Sequence, residues 1–360
     1  ARSLRWALAR APRLAESHEL LGHILTETGP MDLAMRHLNY ALMLDKAVPR
    51  VRLSVSRVYA LTGQTGRPCV VMAHGFGGTR DSGLLAFAEP FAAAGMDVVV
   101  FDYRGFGDSE GEPRQYISFK KQRQDYHAAI DAARNLLGVD RDRIALWGTS
   151  YSGGHVIAVA AQDQRIAAVV STNPATDGPA ALTQAVKYAG VGAVARMVAD
   201  GLVDAAGARL GRRPHYVPLV AQPGGHAALT TPGAEEAYTG MAGPTWRNEF
   251  AARTALEMAF NRPTVHASQL ECPLLVQVGT NDQIAPPDAA RRAAKKAGYL
   301  AHLCEYPIDH FDFYEGEWHP QVLADQLTFL TRVLDPIRAT DVHLRSTNPP
   351  TPRLAVKLPW

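Results

Sequence analysis

The 360-residue sequence predicts an α/β fold: a mostly parallel, doubly wound sheet with a helical cap insertion and an N-terminal helical hairpin. Three observations predict it. Six short apolar runs rich in β-branched residues recur along the chain: CVVMAH, DVVVFD, RIALWG, IAAVVS, LLVQVG and AHLCEYP. Amphipathic segments at about 81–95, 118–137, 151–163, 285–298 and 318–334 separate or follow most of them. Strands apolar throughout and alternating with helices are covered on both faces, the condition of a parallel sheet. Finally, one connection is far too long for a loop: about a hundred residues separate Ser171 from Leu274.

Residues 1–48 read as helices without strands. RLAESHELLGHILTETG spaces Leu14, Leu21 and Leu25 near a helical period and stops at Gly29; PMDLAMRHLNYALMLDK opens on Pro30 and lines up Ala34, Leu38 and Ala41. Ala7 and Ala41 stand 34 residues apart, and the pair of helices resembles a tetratricopeptide repeat. One and a half repeats cannot bury a solenoid core. The hairpin is therefore expected to dock on its own chain or to meet a protein partner.

The main body is expected over 49–173 and 271–338. RLSVSRVYAL alternates apolar and polar residues, as an antiparallel edge strand does. Right-handed crossovers place the carboxyl ends of the parallel strands on one edge, where ligand chemistry sits. The insertion at 174–270 is expected to form a cap or lid over that edge. Two stretches in it read as helical, PAALTQAVKYAGVGAVARMVADGLVDAAGARL and RNEFAARTALEMAF, with a Gly/Pro-rich segment between them. Residues 339–360 carry prolines and no periodicity, and read as a loosely held tail.

Composition excludes several function classes. The chain is 47% hydrophobic and 20% charged with a net charge of +2, so no strong field points to nucleic acid. No run is long enough to span a bilayer. Three widely spaced cysteines, Cys69, Cys272 and Cys304, form neither a disulfide framework nor a zinc signature. They read as buried reduced thiols, and a cytoplasmic location is the expectation. No metal ligands cluster, and no cofactor is expected.

The chemistry concentrates where strands end. IALWGTSYSGGHV places Ser150 between an apolar strand and a helix, with Gly148 and Ser152 two positions either side. A strand-to-helix turn that tight pushes the side chain outward, and the helix N-terminus directs free N–H groups at the same spot. VVMAHGFGGTRD ends an earlier strand in a glycine-rich loop, and no Gly-Lys-Ser/Thr follows to make it a phosphate loop. LLVQVGTNDQIAPP leaves Asp282 past a strand end, and YPIDHFDFYEG leaves His310 past the last one. A serine hydroxyl is a poor nucleophile near neutrality. An imidazole can take its proton, and a carboxylate can hold that imidazole in the required tautomer. Asp309 and Asp312 flank His310 too closely in sequence to reach its Nδ1 well, and Asp177 is a remoter candidate.

Gly148-Thr149-Ser150-Tyr151-Ser152 resembles the nucleophile elbow of the α/β-hydrolase superfamily, whose pattern is G-x-S-x-G. Serine stands where the pattern has its last glycine. HGFGG at 74–78 resembles the superfamily's oxyanion loop, and FDYRGFGDSEG its aspartate-x-arginine-glycine turn, with Asp102 and Arg104 fixing the turn. The chain order serine, acid, histidine is also the superfamily's. The resemblance covers about residues 50–335 and looks closest to the dienelactone-hydrolase-, acetyl-esterase- and polyketide-transferase-like group. It implies a serine hydrolase cleaving a carboxylic ester or thioester. Ser150, Asp282 and His310 would be its triad, and the Phe76 and Tyr151 backbone N–H groups its oxyanion hole. The expected partner is a small-molecule acyl ester with an apolar acyl group. An acyltransferase or a serine peptidase would use the same triad, and a non-enzymatic scaffold would not need one.

Overall fold

The computed structural model describes residues 55–58, 66–136 and 138–334. The expected hairpin at 1–48 and tail at 339–360 lie outside the described residues. In chain order the body runs β1 (Val55–Val58), β2 (Arg67–Ala73), α1 (Leu85–Ala93), β3 (Asp97–Phe101), α2 (Phe119–Arg134), β4 (Val139–Thr149), α3 (Tyr151–Ala160) and β5 (Ile166–Thr172). The long connection then carries α4 (Gly178–Ala189), α5 (Val191–Arg209), β6 (Tyr216–Val217), α6 (Ala234–Met241), β7 (Phe250–Ala251) and the one-turn α7 (Ala255–Met258). The body resumes with β8 (Leu274–Gly279), α8 (Pro287–Ala297), β9 (Ala301–Tyr306) and α9 (His319–Leu334).

The seven-stranded sheet has the order β1-β3-β2-β4-β5-β8-β9. All neighbours are parallel except β1, which pairs antiparallel with β3 at the edge. Strand alternation explains the continuous apolar runs. Cys69, Val71 and Ala73 of β2, with Ile144 and Leu146 of β4, join the core on the face covered by α2, α3 and α8. Val70, Met72, Ala145 and Trp147 join the core on the opposite face, with α1 and α9. Strands β2, β3 and β8 are buried along their whole length, so neither side of the sheet can be polar there, whereas the edge strand β9 exposes His302, Leu303 and Glu305. Two glutamines interrupt this apolar pattern. Gln277 and Gln326 are buried against Thr172, Trp147 and Tyr306, with every bond among them between 2.6 and 3.0 Å. Buried amides are tolerated there because their polar atoms are paired.

The connection departs from its expected structure within both stretches read as helical. RNEFAARTALEMAF reads as a helix, yet Phe250–Ala251 pairs antiparallel with Tyr216–Val217, and only Ala255–Met258 is α-helical. Tertiary pairing overrides the apolar period. Buried Asp204 accepts from the His215 and Arg253 amides at 2.8 and 2.9 Å and pairs with the Arg253 guanidinium, pinning both partner segments to α5. The first stretch is helical but divided at Gly190, whose φ of 85° suits a residue without Cβ.

Cys69 and Cys272 are buried, whereas Cys304 is half-buried; all three are free thiols. No helix among the described residues is long and apolar enough to cross a membrane.

Candidate active site

Ser150 sits between the end of β4 and the first residue of α3, with φ 55° and ψ −117°. That left-handed conformation is costly for a residue with Cβ and persists only where the surroundings fix it. Here they do. The Ser150 amide donates to Thr172 O at 2.9 Å. A Cβ on Gly148 would lie 2.4 Å from Ser152 O, so the residue before the turn must be glycine. The serine that replaces the pattern's last glycine is built into the turn: Ser152 Oγ accepts from Thr149 N at 2.9 Å and donates to Ala73 O at 2.8 Å. The hydroxyl ties the elbow to the end of β2.

Asp282 follows β8 and His310 follows β9, and the sheet order brings both loops to Ser150. His310 Nε2 lies 3.0 Å from Ser150 Oγ, and His310 Nδ1 lies 2.7 Å from Asp282 Oδ2. The other carboxylate oxygen, Oδ1, accepts from the Ile284 and Ala285 amides at 2.8 and 2.7 Å. A carboxylate only accepts, so Nδ1 donates to it and Nε2 is left to accept the serine O–H. All three side chains are buried.

The rival carboxylates are engaged elsewhere. Asp309 takes the Gln283 amide and side chain, Asp312 takes the Asp309 amide, and Asp177 caps α4 and faces Arg262. Asp102 accepts from the Arg80 amide at 2.7 Å and pairs with its guanidinium, while Arg104 binds Asp125. Both residues hold loops and lie outside the Ser150–His310–Asp282 chain of hydrogen bonds.

The HGFGG loop packs directly on the elbow. A Cβ on Gly75 would stand 2.8 Å from Ser150 Cβ and 3.0 Å from Thr149 O. The Gly75 amide is spent on His74 Nδ1 at 2.7 Å. No turn, cap or loop hydrogen bond among the described residues uses the Phe76 or Tyr151 amide. The Phe76 carbonyl accepts from buried Tyr238 Oη at 2.7 Å, which anchors that peptide to α6. Aromatic rings surround this point: Phe76 contacts Tyr151 and Phe250 edge-on at 5.5 and 5.3 Å, and Phe311 lies 5.3 Å from His310. Gly75→Ala is expected to lower kcat by about 10- to 100-fold with KM little changed, because the loop and the elbow must move apart. Steady-state kinetics on the variant check this.

Two histidines without a role in sequence reading are buried here. Desolvation pushes His74 down to about 4 from its ordinary 6.5, and holds His155 well below its ordinary value. His74 stacks on Tyr314 with centroids 5.7 Å apart, and His155 Nε2 meets Gln122 Oε1 at 2.9 Å. Both stay neutral in the fold while the unfolded chain takes up protons below about 6.5. Stability is therefore whole above that value and falls as pH drops toward 4, by about 3 kcal/mol for His74 alone. Desolvation pushes the buried Asp102 carboxyl up to about 6, which acts in the opposite direction over the same range. The sign is therefore checked by the urea-midpoint difference between wild type and His74→Gln. That difference is expected to shift against wild type as pH falls from 6.5 toward 4; one that stays constant or moves the other way contradicts it.

Asn173 was not legible as a site residue, although it too follows a strand end; its side chain reaches both the elbow and the His310 loop. Among the described residues, no three His, Cys, Asp or Glu side chains form a group able to hold a metal ion.

Residues 64–319 match the family Hydrolase_4, described as serine aminopeptidase, S33. A quorum-quenching protein, AidA, of Acinetobacter baumannii is 40% identical over 282 residues, covering 77% of this chain and 90% of that protein. A thiohydrolase, AneE, of Aspergillus aculeatus is 39% identical over a shorter 112-residue stretch, 31% of this chain and 35% of that one. The crystal structure of the α/β-hydrolase GrgF from a Penicillium species superposes with a TM-score of 0.64 at 24% identity, covering 76% of this chain and 92% of the other. That last likeness concerns the fold.

Proposed function

This chain belongs to the Hydrolase_4 family of α/β-hydrolases, and we propose that it cleaves a carboxylic ester or thioester through an acyl-enzyme on Ser150. His310 Nε2 takes the Ser150 proton as Oγ attacks the acyl carbon. Asp282 keeps the imidazole in the accepting tautomer and stabilises its cation. The Phe76 and Tyr151 amides donate to the oxyanion of the tetrahedral intermediate. His310 then returns the proton to the leaving group, and the same imidazole activates water to release the acid. The observation that carries this reading is the Asp282–His310–Ser150 relay, at 2.7 and 3.0 Å, on a serine held at positive φ.

The aromatic rings around Phe76 favour an apolar acyl group over a charged one. A thioester is supported by the relative named as a thiohydrolase. The peptidase alternative needs a carboxylate beside the site for a substrate ammonium, and of the nearby rivals Asp177 is already paired with Arg262. A series of p-nitrophenyl esters and acyl thioesters from acetyl to dodecanoyl tests the reading. Turnover with an optimum longer than acetyl is expected. Activity confined to aminoacyl amides would assign a peptidase instead.

A further inference from the structure

We propose that Asn173 is a positioning residue that locks the nucleophile elbow to the histidine loop, so that the Ser150–His310 distance is set by a side chain outside the triad. The inference rests on the reading of Ser150 and His310 above. Asn173 follows β5 with φ 38°, a left-handed conformation that Asn and Gly accept more readily than most residues, and it is 2% exposed. Its Oδ1 accepts from Thr149 Oγ1 at 2.8 Å and from the Ser150 amide at 3.3 Å. Its Nδ2 donates to the His310 carbonyl at 2.9 Å. Thr149 Oγ1 in turn lies 2.7 Å from Tyr314 Oη, which extends the chain of bonds into the segment that carries His310. One buried amide thus joins the residue before the nucleophile, the nucleophile and the base. These arrive from strand ends 137 positions apart in the case of Asn173 and His310.

The polarity of the amide matters as much as its size. The side facing His310 must donate, since it meets a carbonyl; the side facing Ser150 must accept, since it meets an amide. Nδ2 also stands 3.4 Å from His310 Nδ1, the atom that donates to Asp282. A donor there cannot compete with Asp282 for that proton, whereas a carboxylate oxygen would. The titratable groups facing His310 are Asp282, Asp309 at its amide, and neutral His74 in the adjoining loop. Substituting residue 173 leaves all three in place.

Two variants separate this role from a merely structural one. Asn173→Gly keeps the left-handed backbone and removes the tie; kcat is expected to fall about 10- to 100-fold with KM within about twofold. Asn173→Asp keeps size and backbone preference but reverses the polarity toward His310. The acid limb of its kcat/KM profile is expected to move up by about one pH unit, because a negative charge within about 4 Å favours the imidazolium. Should the glycine variant fail to give a cooperative melt, the aspartate profile alone decides. Wild-type kcat in Asn173→Gly, or an unmoved acid limb in Asn173→Asp, overturns the inference. Ser150→Ala assayed in parallel keeps the two readings apart. If it is inactive while the 173 variants behave as wild type, only the role of Asn173 falls; if it retains full turnover, the site itself is misread.

Discussion

Ser150→Ala is expected to lower kcat/KM for the preferred ester by about 10⁴-fold or more while the protein remains folded. The size of the loss follows from the elbow. Removing Oγ would leave the proposed oxyanion donors, the Phe76 and Tyr151 amides, with no tetrahedral intermediate to bind. Stability should change little, because alanine is no more at ease than serine at φ 55° and Thr172 O still receives the amide of residue 150. Steady-state kinetics with a thermal melt on the same preparation check both halves. Turnover within tenfold of wild type would place the reacting group elsewhere.

Asp282→Asn is expected to give the second large effect, a loss of about 10³- to 10⁴-fold in kcat, through the tautomer of His310. The Ile284 and Ala285 amides both donate to Oδ1 of Asp282, so an asparagine must keep its carbonyl oxygen at that position. Its NH₂ then faces His310 Nδ1, which lies 2.7 Å from Oδ2 in the native site. Two donors cannot face each other, so the imidazole moves its proton to Nε2. That nitrogen can no longer accept from Ser150 Oγ. The variant should fold normally, retain substrate binding, and react with a fluorophosphonate correspondingly slowly. A labelling rate equal to wild type would mean that Asp282 does not set the tautomer.

Much of this arrangement could be read in the chain because it depends on local constraints. Apolar runs such as CVVMAH and LLVQVG are buried on both faces and so carry their strand assignment in composition alone. The Gly148-to-Ser152 turn is legible because a Cβ at 148 has nowhere to go. Asp282 and His310 follow from chain order and strand ends. What escaped depends on partners distant in sequence. RNEFAARTALEMAF has an apolar helical period, but Phe250–Ala251 found Tyr216–Val217, more than thirty residues earlier. Asn173 looks like an ordinary residue of a turn; only the fold reveals that its two faces meet Ser150 and His310. Gln277 and Gln326 lie within helix and strand patterns that give no sign of their shared buried network. Ser152 reads as a departure from the superfamily pattern, and the structure gives its hydroxyl hydrogen bonds to Thr149 and Ala73 that a glycine could not make.

The proposed mechanism requires a covalent acyl intermediate on one serine. Reaction with a fluorophosphonate followed by intact-mass measurement and peptide mapping tests it most directly. A single stoichiometric adduct is expected on the peptide carrying Ser150, prevented by prior incubation with excess substrate and absent from Ser150→Ala. An enzyme that hydrolyses esters yet takes no adduct at Ser150, or takes it at another residue, would rule out Ser150 as the nucleophile.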